Sequence, residues 1–272
     1  MGQGVNFGNA LEAPNESDWG MVLEPGFFDL VKQARFSHIR LPVSWTTHAS
    51  QTPPYTVDPK FFLRIDWALE QATRRGLRVV LNVHHYDELN DDLTGEEARA
   101  LALWKQITKR YKNQPGLVYF EVLNEPHGKF NDNPRLWNNY LAKAIGIIRQ
   151  SNPTRPLIVG PVGWNGIGQL RNLKLPSDPN PIVTVHYYEP FAFTHQGAEW
   201  VNPSPPVGTA WTGTKPDWAG LYFHSDEGAE GYTALAFRTN PAVNLNISCN
   251  KAGGKALTTQ ANLETALQNL DA

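Results

Sequence analysis

Between residues 4 and 190 the chain switches six times between a short apolar run of strand length and a longer segment with helical periodicity. Strand starts recur roughly every 35 residues, with no repeat in sequence between them. Such alternation implies a parallel sheet covered by helices, because parallel neighbours need a crossover long enough to hold one. The strands are expected at residues 5–9, 38–45, 77–85, 117–126, 156–164 and 182–188. Helices are expected over 25–36, from Pro59 to Gly76, from Thr94 to about Asn113 and from Pro134 to about Gln150, with a short one near 166–173. Asp58-Pro59 and Asn133-Pro134 each pair a capping side chain with a first-turn proline. Thr94-Gly95-Glu96-Glu97 reads as a capping box, and Gly76 as a stop. Length and regularity favour a (β/α)8 TIM barrel over a doubly wound sheet, and no Gly-x-Gly-x-x-Gly follows the first strand.

The last quarter departs from this rhythm. Residues 202–213 are rich in Pro, Gly, Ser and Thr. Beyond them only a short helix or strand at 217–223, a strand at 242–249 and an amphipathic helix at 258–270 stand out. The last two β/α units are therefore expected to be incomplete or altered. One domain is expected over residues 1–272, with 202–272 as an atypical tail. Strands one and six would then have open edges, to be covered by the tail or by a partner chain.

With 272 residues, 41% of them hydrophobic, the chain is long enough for one large core. A net charge of −2 provides no basic field for nucleic acid or an anionic membrane. No apolar run approaches the ~20 residues of a membrane span. The single cysteine, Cys249, excludes an internal disulfide and a cysteine-based zinc site. No leader opens the chain at Met1-Gly2-Gln3-Gly4, so it is expected to be cytoplasmic, or secreted with its leader already removed. A monomer is expected. Nine Trp, nine Tyr and twelve Phe are compatible with a sugar ligand, whose flat C–H faces pack on aromatic rings, although most such rings fill cores.

The fourth strand runs into Asn124-Glu125, and Pro126 closes it. A carboxylate at the carboxyl end of a buried strand is costly without a role, and in a parallel barrel that end carries the chemistry. Strand alternation sends Arg40, Asn82, His84, His186 and Tyr188 into the barrel and puts Glu121, Leu123 and Glu125 on one face. Arg40 is also placed to pair with Glu121. A metal is not expected, since His84 and His85 are adjacent and diverge, and no His-Glu-x-x-His occurs. No Gly-x-Ser-x-Gly marks a serine hydrolase. A Glu flanked by Asn, Arg, His and Tyr donors suits glycoside hydrolysis. That reaction takes one protonated carboxyl and a second carboxylate ~5–5.5 Å away when configuration is retained.

In this order the residues resemble the glycoside hydrolase family 5 cellulases of clan A, from Gly4 to about Val201. The resemblance is carried by residues 6–14 (Asn-Phe-Gly-Asn-Ala-Leu-Glu-Ala-Pro), Ile39-Arg40-Leu41-Pro42, Asn82-Val83-His84-His85-Tyr86, Leu123-Asn124-Glu125-Pro126-His127 and His186-Tyr187-Tyr188. Residues 194–200 look like a branch with thermophilic endoglucanases, some of which accept mannan. The resemblance implies an endo-β-1,4-glucanase acting by retention on a β-linked polysaccharide or oligosaccharide, without a cofactor. It makes Glu125 the general acid/base and Asn124 the partner of the sugar 2-hydroxyl. Arg40 becomes the group that keeps the nucleophile ionised, with His84, His186 and Tyr188 as surrounding donors. Asn9, Glu12, His85, Trp164 and Trp200 fall where the family lines its sugar subsites. The family's nucleophile, a Glu usually set in Gly-Glu-Phe-Gly at the end of the seventh strand, is not visible, and Glu227 and Glu230 are the nearest substitutes. That gap leaves two alternatives: a catalytically dead β-glucan-binding barrel, and an inverting hydrolase using a more distant acid such as Glu227.

Overall fold

The computed structural model describes residues 2–188 and 190–209 in full and only the backbone of 221–226 and 232–237. The expected strand at 242–249, the helix at 258–270 and both nucleophile candidates, Glu227 and Glu230, lie outside the described residues. The chain divides into two compact units, residues 1–186 and 187–272.

In the first unit six parallel strands pair in chain order: β1 (Gly4–Asn6), β2 (His38–Leu41), β3 (Arg78–Asn82), β4 (Val118–Glu121), β5 (Leu157–Val159) and β6 (Pro181–Val183). A doubly wound sheet reverses its strand order at a switch point. An unbroken 1-to-6 order is that of a (β/α)8 barrel over its first six units. The main crossovers hold α1 (Pro25–Gln33), α2 (Pro59–Thr73), α4 (Leu93–Tyr111) and α6 (Pro134–Ser151). Two short helices, α3 (Asp87–Asp91) and α5 (Lys129–Asp132), precede α4 and α6 and had no signal in the pattern.

Caps explain where the long helices start. Asp58 accepts from Lys60 N at 2.8 Å and Asn133 from Arg135 N at 3.2 Å, each with proline next in line. The expected capping box at Thr94 is corrected: the cap of α4 is Asp92, which accepts from Gly95 N at 3.1 Å. Gly95 permits this approach, since a Cβ there would stand 2.5 Å from Asp92 Oδ2.

Register separates the two faces of the sheet. Ile39, Val79 and Val118 are aligned, as are Leu41, Leu81 and Phe120, and all are buried in the core shared with α2, α4 and α6. The opposite face aligns Asn6 with Arg40, and Asn82 with Glu121 and Ile158. Polar side chains are thereby concentrated on the inner face of the sheet.

All six strands are shorter than expected, and apart from Arg40 on β2 the expected site residues lie beyond their ends. At or just past the ends of β3, β4 and β5, carbonyls are met by indoles: Trp45 Nε1 donates to Asn82 O at 2.8 Å, Trp104 Nε1 to Val122 O at 3.1 Å and Trp137 Nε1 to Gly160 O at 3.0 Å. As the strands splay, ladder partners are lost, and a buried carbonyl without a partner is costly. These three Trp residues are fully buried and serve the scaffold.

In the second unit the described residues form a one-turn helix, Phe191–Thr194, and a hairpin of Leu221–Asp226 against Tyr232–Phe237. The hairpin is antiparallel. The element expected at 217–223 is therefore a strand, beginning at Leu221 and paired locally.

Candidate active site

Beyond β4 the chain passes through buried Val122 and Leu123 to Asn124 and Glu125. Val122 N donates to Ile158 O at 3.0 Å and Asn124 N to Val83 O at 2.9 Å, so this segment stays tied on both sides. Glu125 then adopts φ 48°, a left-handed conformation unfavourable for most side chains. This turn aims the carboxyl. The expectation that Leu123 shares a face with Glu121 and Glu125 is corrected, because strand alternation ends at Glu121 and Leu123 lies in the apolar core. Five of the eight non-glycine residues with positive φ among the described residues are Asn9, His85, Glu125, Trp164 and Asn165, all in loops after strands. Strained backbone gathers where the surroundings hold side chains for a purpose.

Arg40 organises the floor. Its Nε donates to Glu121 Oε2 at 2.7 Å and its Nη2 to Oε1 at 2.8 Å. Nη2 also reaches Asn124 Oδ1 at 2.8 Å, and Nη1 reaches Asn6 Oδ1 at 3.0 Å. With its oxygen on Arg40, the Asn124 amide presents Nδ2 as a donor beside Glu125.

Asn82 fixes the next group. Its oxygen accepts from Val43 N at 3.1 Å, so its Nδ2 donates to His84 Nδ1 at 2.8 Å. The proton of neutral His84 is then on Nε2, as a donor. Burial, and behind it the charges of Arg40, His85 and His186, holds His84 well below the usual histidine range.

His186 Nδ1 lies 2.5 Å from Glu125 Oε1. Its other ring nitrogen faces Asn165 Nδ2 at 3.3 Å, and its backbone N donates to Asn165 O at 2.9 Å. Asn165 is fully buried in a left-handed turn with Gly163 and Trp164, at φ 70°, 56° and 59° for residues 163 to 165. Its Oδ1 has no partner, a loss of about 1–3 kcal/mol for a buried polar atom.

Aromatic rings flank these groups. His127 Nδ1 donates to Glu125 O at 2.7 Å, and its ring stacks on Trp164 at 5.2 Å and 10°. Trp164 is 54% exposed. The His84 and His85 rings meet at 4.6 Å, and the edge of Trp19 meets His85 at 5.5 Å and 87°. The Trp19 loop is held by Glu16, which accepts from Leu23 N at 2.8 Å and from Arg64 twice at 2.7 Å.

Of the expected set, Arg40, His84, His85, Asn124, Glu125, Trp164 and His186 are thus joined by direct contacts or through one neighbour. Glu12 is buried, with its carboxylate accepting from Asn9 N at 2.5 Å and Ala10 N at 3.1 Å, and so shapes the loop that carries Asn9. Tyr188 and Trp200 belong to the second unit, where Tyr188 meets the His195 ring at 5.1 Å and Trp200 is exposed. Asn165, His127 and Trp19 were not singled out in the sequence. Gly163-Trp164-Asn165-Gly166 did carry a signal for Asn165, a residue that tolerates left-handed backbone set between two glycines.

A parallel barrel with a carboxyl and convergent donors at its strand ends defines a glycosidase-type site. Residues 2–227 match the cellulase family, glycosyl hydrolase family 5, and the chain belongs to it. Endoglucanase H of Acetivibrio thermocellus is 39% identical over 196 residues, 72% of this chain and 22% of that protein. Endoglucanase A of Ruminococcus albus is 27% identical over 227 residues, 74% of this chain and 62% of its own length. The chain thus spans less than two thirds of either relative. Cel5A of Thermotoga maritima in complex with cellobiose superposes with a TM-score of 0.76 at 49% identity, covering 79% of this chain and 70% of that one. The mannotriose complex of Cel5A matches with the same values.

Proposed function

We propose that the protein is a retaining glycoside hydrolase that cleaves internal β-1,4 linkages of glucans, with Glu125 as general acid and then general base. The observation that supports it best is the Asn124-Glu125 pair past β4, with the amide oxygen on Arg40 and one carboxyl oxygen on His186. The free Glu125 oxygen protonates the leaving oxygen and then takes a proton from water. Asn124 Nδ2 donates to the sugar 2-hydroxyl oxygen, a contact that strengthens in the transition state. His84 Nε2–H is a further donor, and Trp164, stacked on His127, offers a flat face for a sugar ring.

Two-carboxyl hydrolysis needs no cofactor, and the protein is taken to act as a monomer. Glu227 and Glu230 are the candidates for the second carboxylate. Acceptance of mannan beside glucan is supported by Cel5A, which binds both cellobiose and mannotriose. Glu125→Gln is expected to lower kcat on a cello-oligosaccharide by about 10²–10⁴-fold, the usual contribution of a general acid. Activity near that of the parent chain would end the assignment, and product NMR must show the β-anomer first.

A further inference from the structure

We propose that Asn165 is a positioning residue: its buried carboxamide orients the His186 ring and fixes its tautomer, with the ring proton on Nδ1, directed at Glu125. The proposal rests on the glycosidase reading for its kinetic consequence but not for its geometry.

The geometry is a line of three groups. Asn165 Nδ2 faces His186 Nε2 at 3.3 Å, and His186 Nδ1 lies 2.5 Å from Glu125 Oε1. An amide N–H directed at Nε2 requires a lone pair there, so the ring proton resides on Nδ1 and is donated to Glu125. A proton on Nε2 would set a new N–H against the amide N–H, so the amide selects the Nδ1–H tautomer over the Nε2–H one. Reversing the amide would set two N–H donors against Gly160 in place of one oxygen, at a point where Oδ1 finds no partner.

Three features hold the amide in place. Asn165 is fully buried, so water does not compete for its donors. The left-handed turn at 163–165 fixes its backbone, and its carbonyl receives His186 N at 2.9 Å, locking the two residues together. Gly160 leaves room for it, since a Cβ there would stand 2.1 Å from Asn165 Oδ1.

Among the titratable groups of the described residues, Glu125 from the end of β4 lies directly on His186 and His84 from the end of β3 interacts with it, with Arg40 and His85 beside His84. His84 is itself held neutral and Arg40 is paired with Glu121, while the His186 ring touches Glu125 directly. A neutral Nδ1–H donor serves Glu125 in both of its forms. It holds Oε1 and leaves Oε2 to carry the proton, and after transfer it steadies the carboxylate. An imidazolium would favour the carboxylate throughout and deprive the site of its acid.

The experiment uses the full chain. In ¹⁵N-detected NMR, His186 is expected as the neutral Nδ1–H tautomer near pH 7. Asn165→Asp is isosteric and turns the donor into an acceptor, so His186 is expected to stay doubly protonated to higher pH. The basic limb of kcat/KM on a cello-oligosaccharide should then move down by about one pH unit. Gly160→Ala, which displaces the amide without touching it chemically, should move the same limb in the same direction. An aryl glycoside with a good leaving group should show little shift. A doubly protonated or Nε2–H His186 in the parent chain overturns the proposal even if no variant folds. So does a loss of kcat in Asn165→Asp with the limb and the His186 resonances unmoved, the mark of a merely structural role. If the parent chain hydrolyses no glucan, the glycosidase reading fails while the tautomer measurement still decides this one.

Discussion

Arg40 and Glu121 form a two-point ion pair with side chains 20% and 2% exposed, and the same guanidinium holds Asn124. Solvent screens such a pair poorly, and removing one partner strands a charge in the interior. Glu121→Gln is therefore expected to cost about 3 kcal/mol of stability, measured by urea denaturation, and to loosen Asn124 at the same time. A variant as stable as the parent would mean that the pair is solvated in solution. Alternation along β2 and β4 shows from the sequence that these two residues share the inner face. That Arg40 reaches on to Asn124 depends on where the chain turns after β4, which periodicity does not reveal.

At the scale of elements, the strand ends depend on indoles borrowed from neighbouring segments. Trp137 on α6 is fully buried, and its N–H serves Gly160 O at 3.0 Å. Trp137→Phe keeps most of the apolar contact and removes the donor. The expected loss is about 1–3 kcal/mol, because a buried carbonyl is left without a partner. Equal thermal midpoints for the two proteins would show that water replaces the indole. In sequence Trp45, Trp104 and Trp137 look no different from Trp19 and Trp164, which are exposed beside the site. Only the packing of helix on sheet separates the scaffold rings from those exposed beside the site.

At the scale of the molecule, three partly or fully buried histidines among the described residues contribute to the response to mild acid. Burial lowers His38 and His48, and lowers His84 further. Each is neutral in the fold and takes up a proton more readily once unfolded. Their contribution is therefore complete above the unfolded value near 6.5 and is lost as pH falls toward the folded values. A drop of about 5 °C in Tm between pH 7 and pH 5 is expected by circular dichroism. A flat or rising profile would contradict it. Near pH 4 a second loss should begin. Burial alone would raise Glu16 and Asp178, yet Arg64 and Arg149 pull both below the ordinary carboxylate range, and that stabilisation disappears as they protonate.

The order of strands and helices, the caps at Asp58 and Asn133 and the placing of Asn124-Glu125 at a strand end were all legible in the residues. They follow from local rules: apolar period, proline position and capping chemistry act over a few neighbours. The turns beyond β3 and β4 obey no such rule at His85 and Glu125, and the glycine-flanked turn beyond β5 shows that Asn165 can be left-handed but not what its amide meets. Folding alone therefore put the Asn165 amide on His186 and His186 on Glu125: a carboxamide from the turn after β5 and a ring from the loop after β6 meet a carboxyl from the segment after β4 only once six strands have aligned.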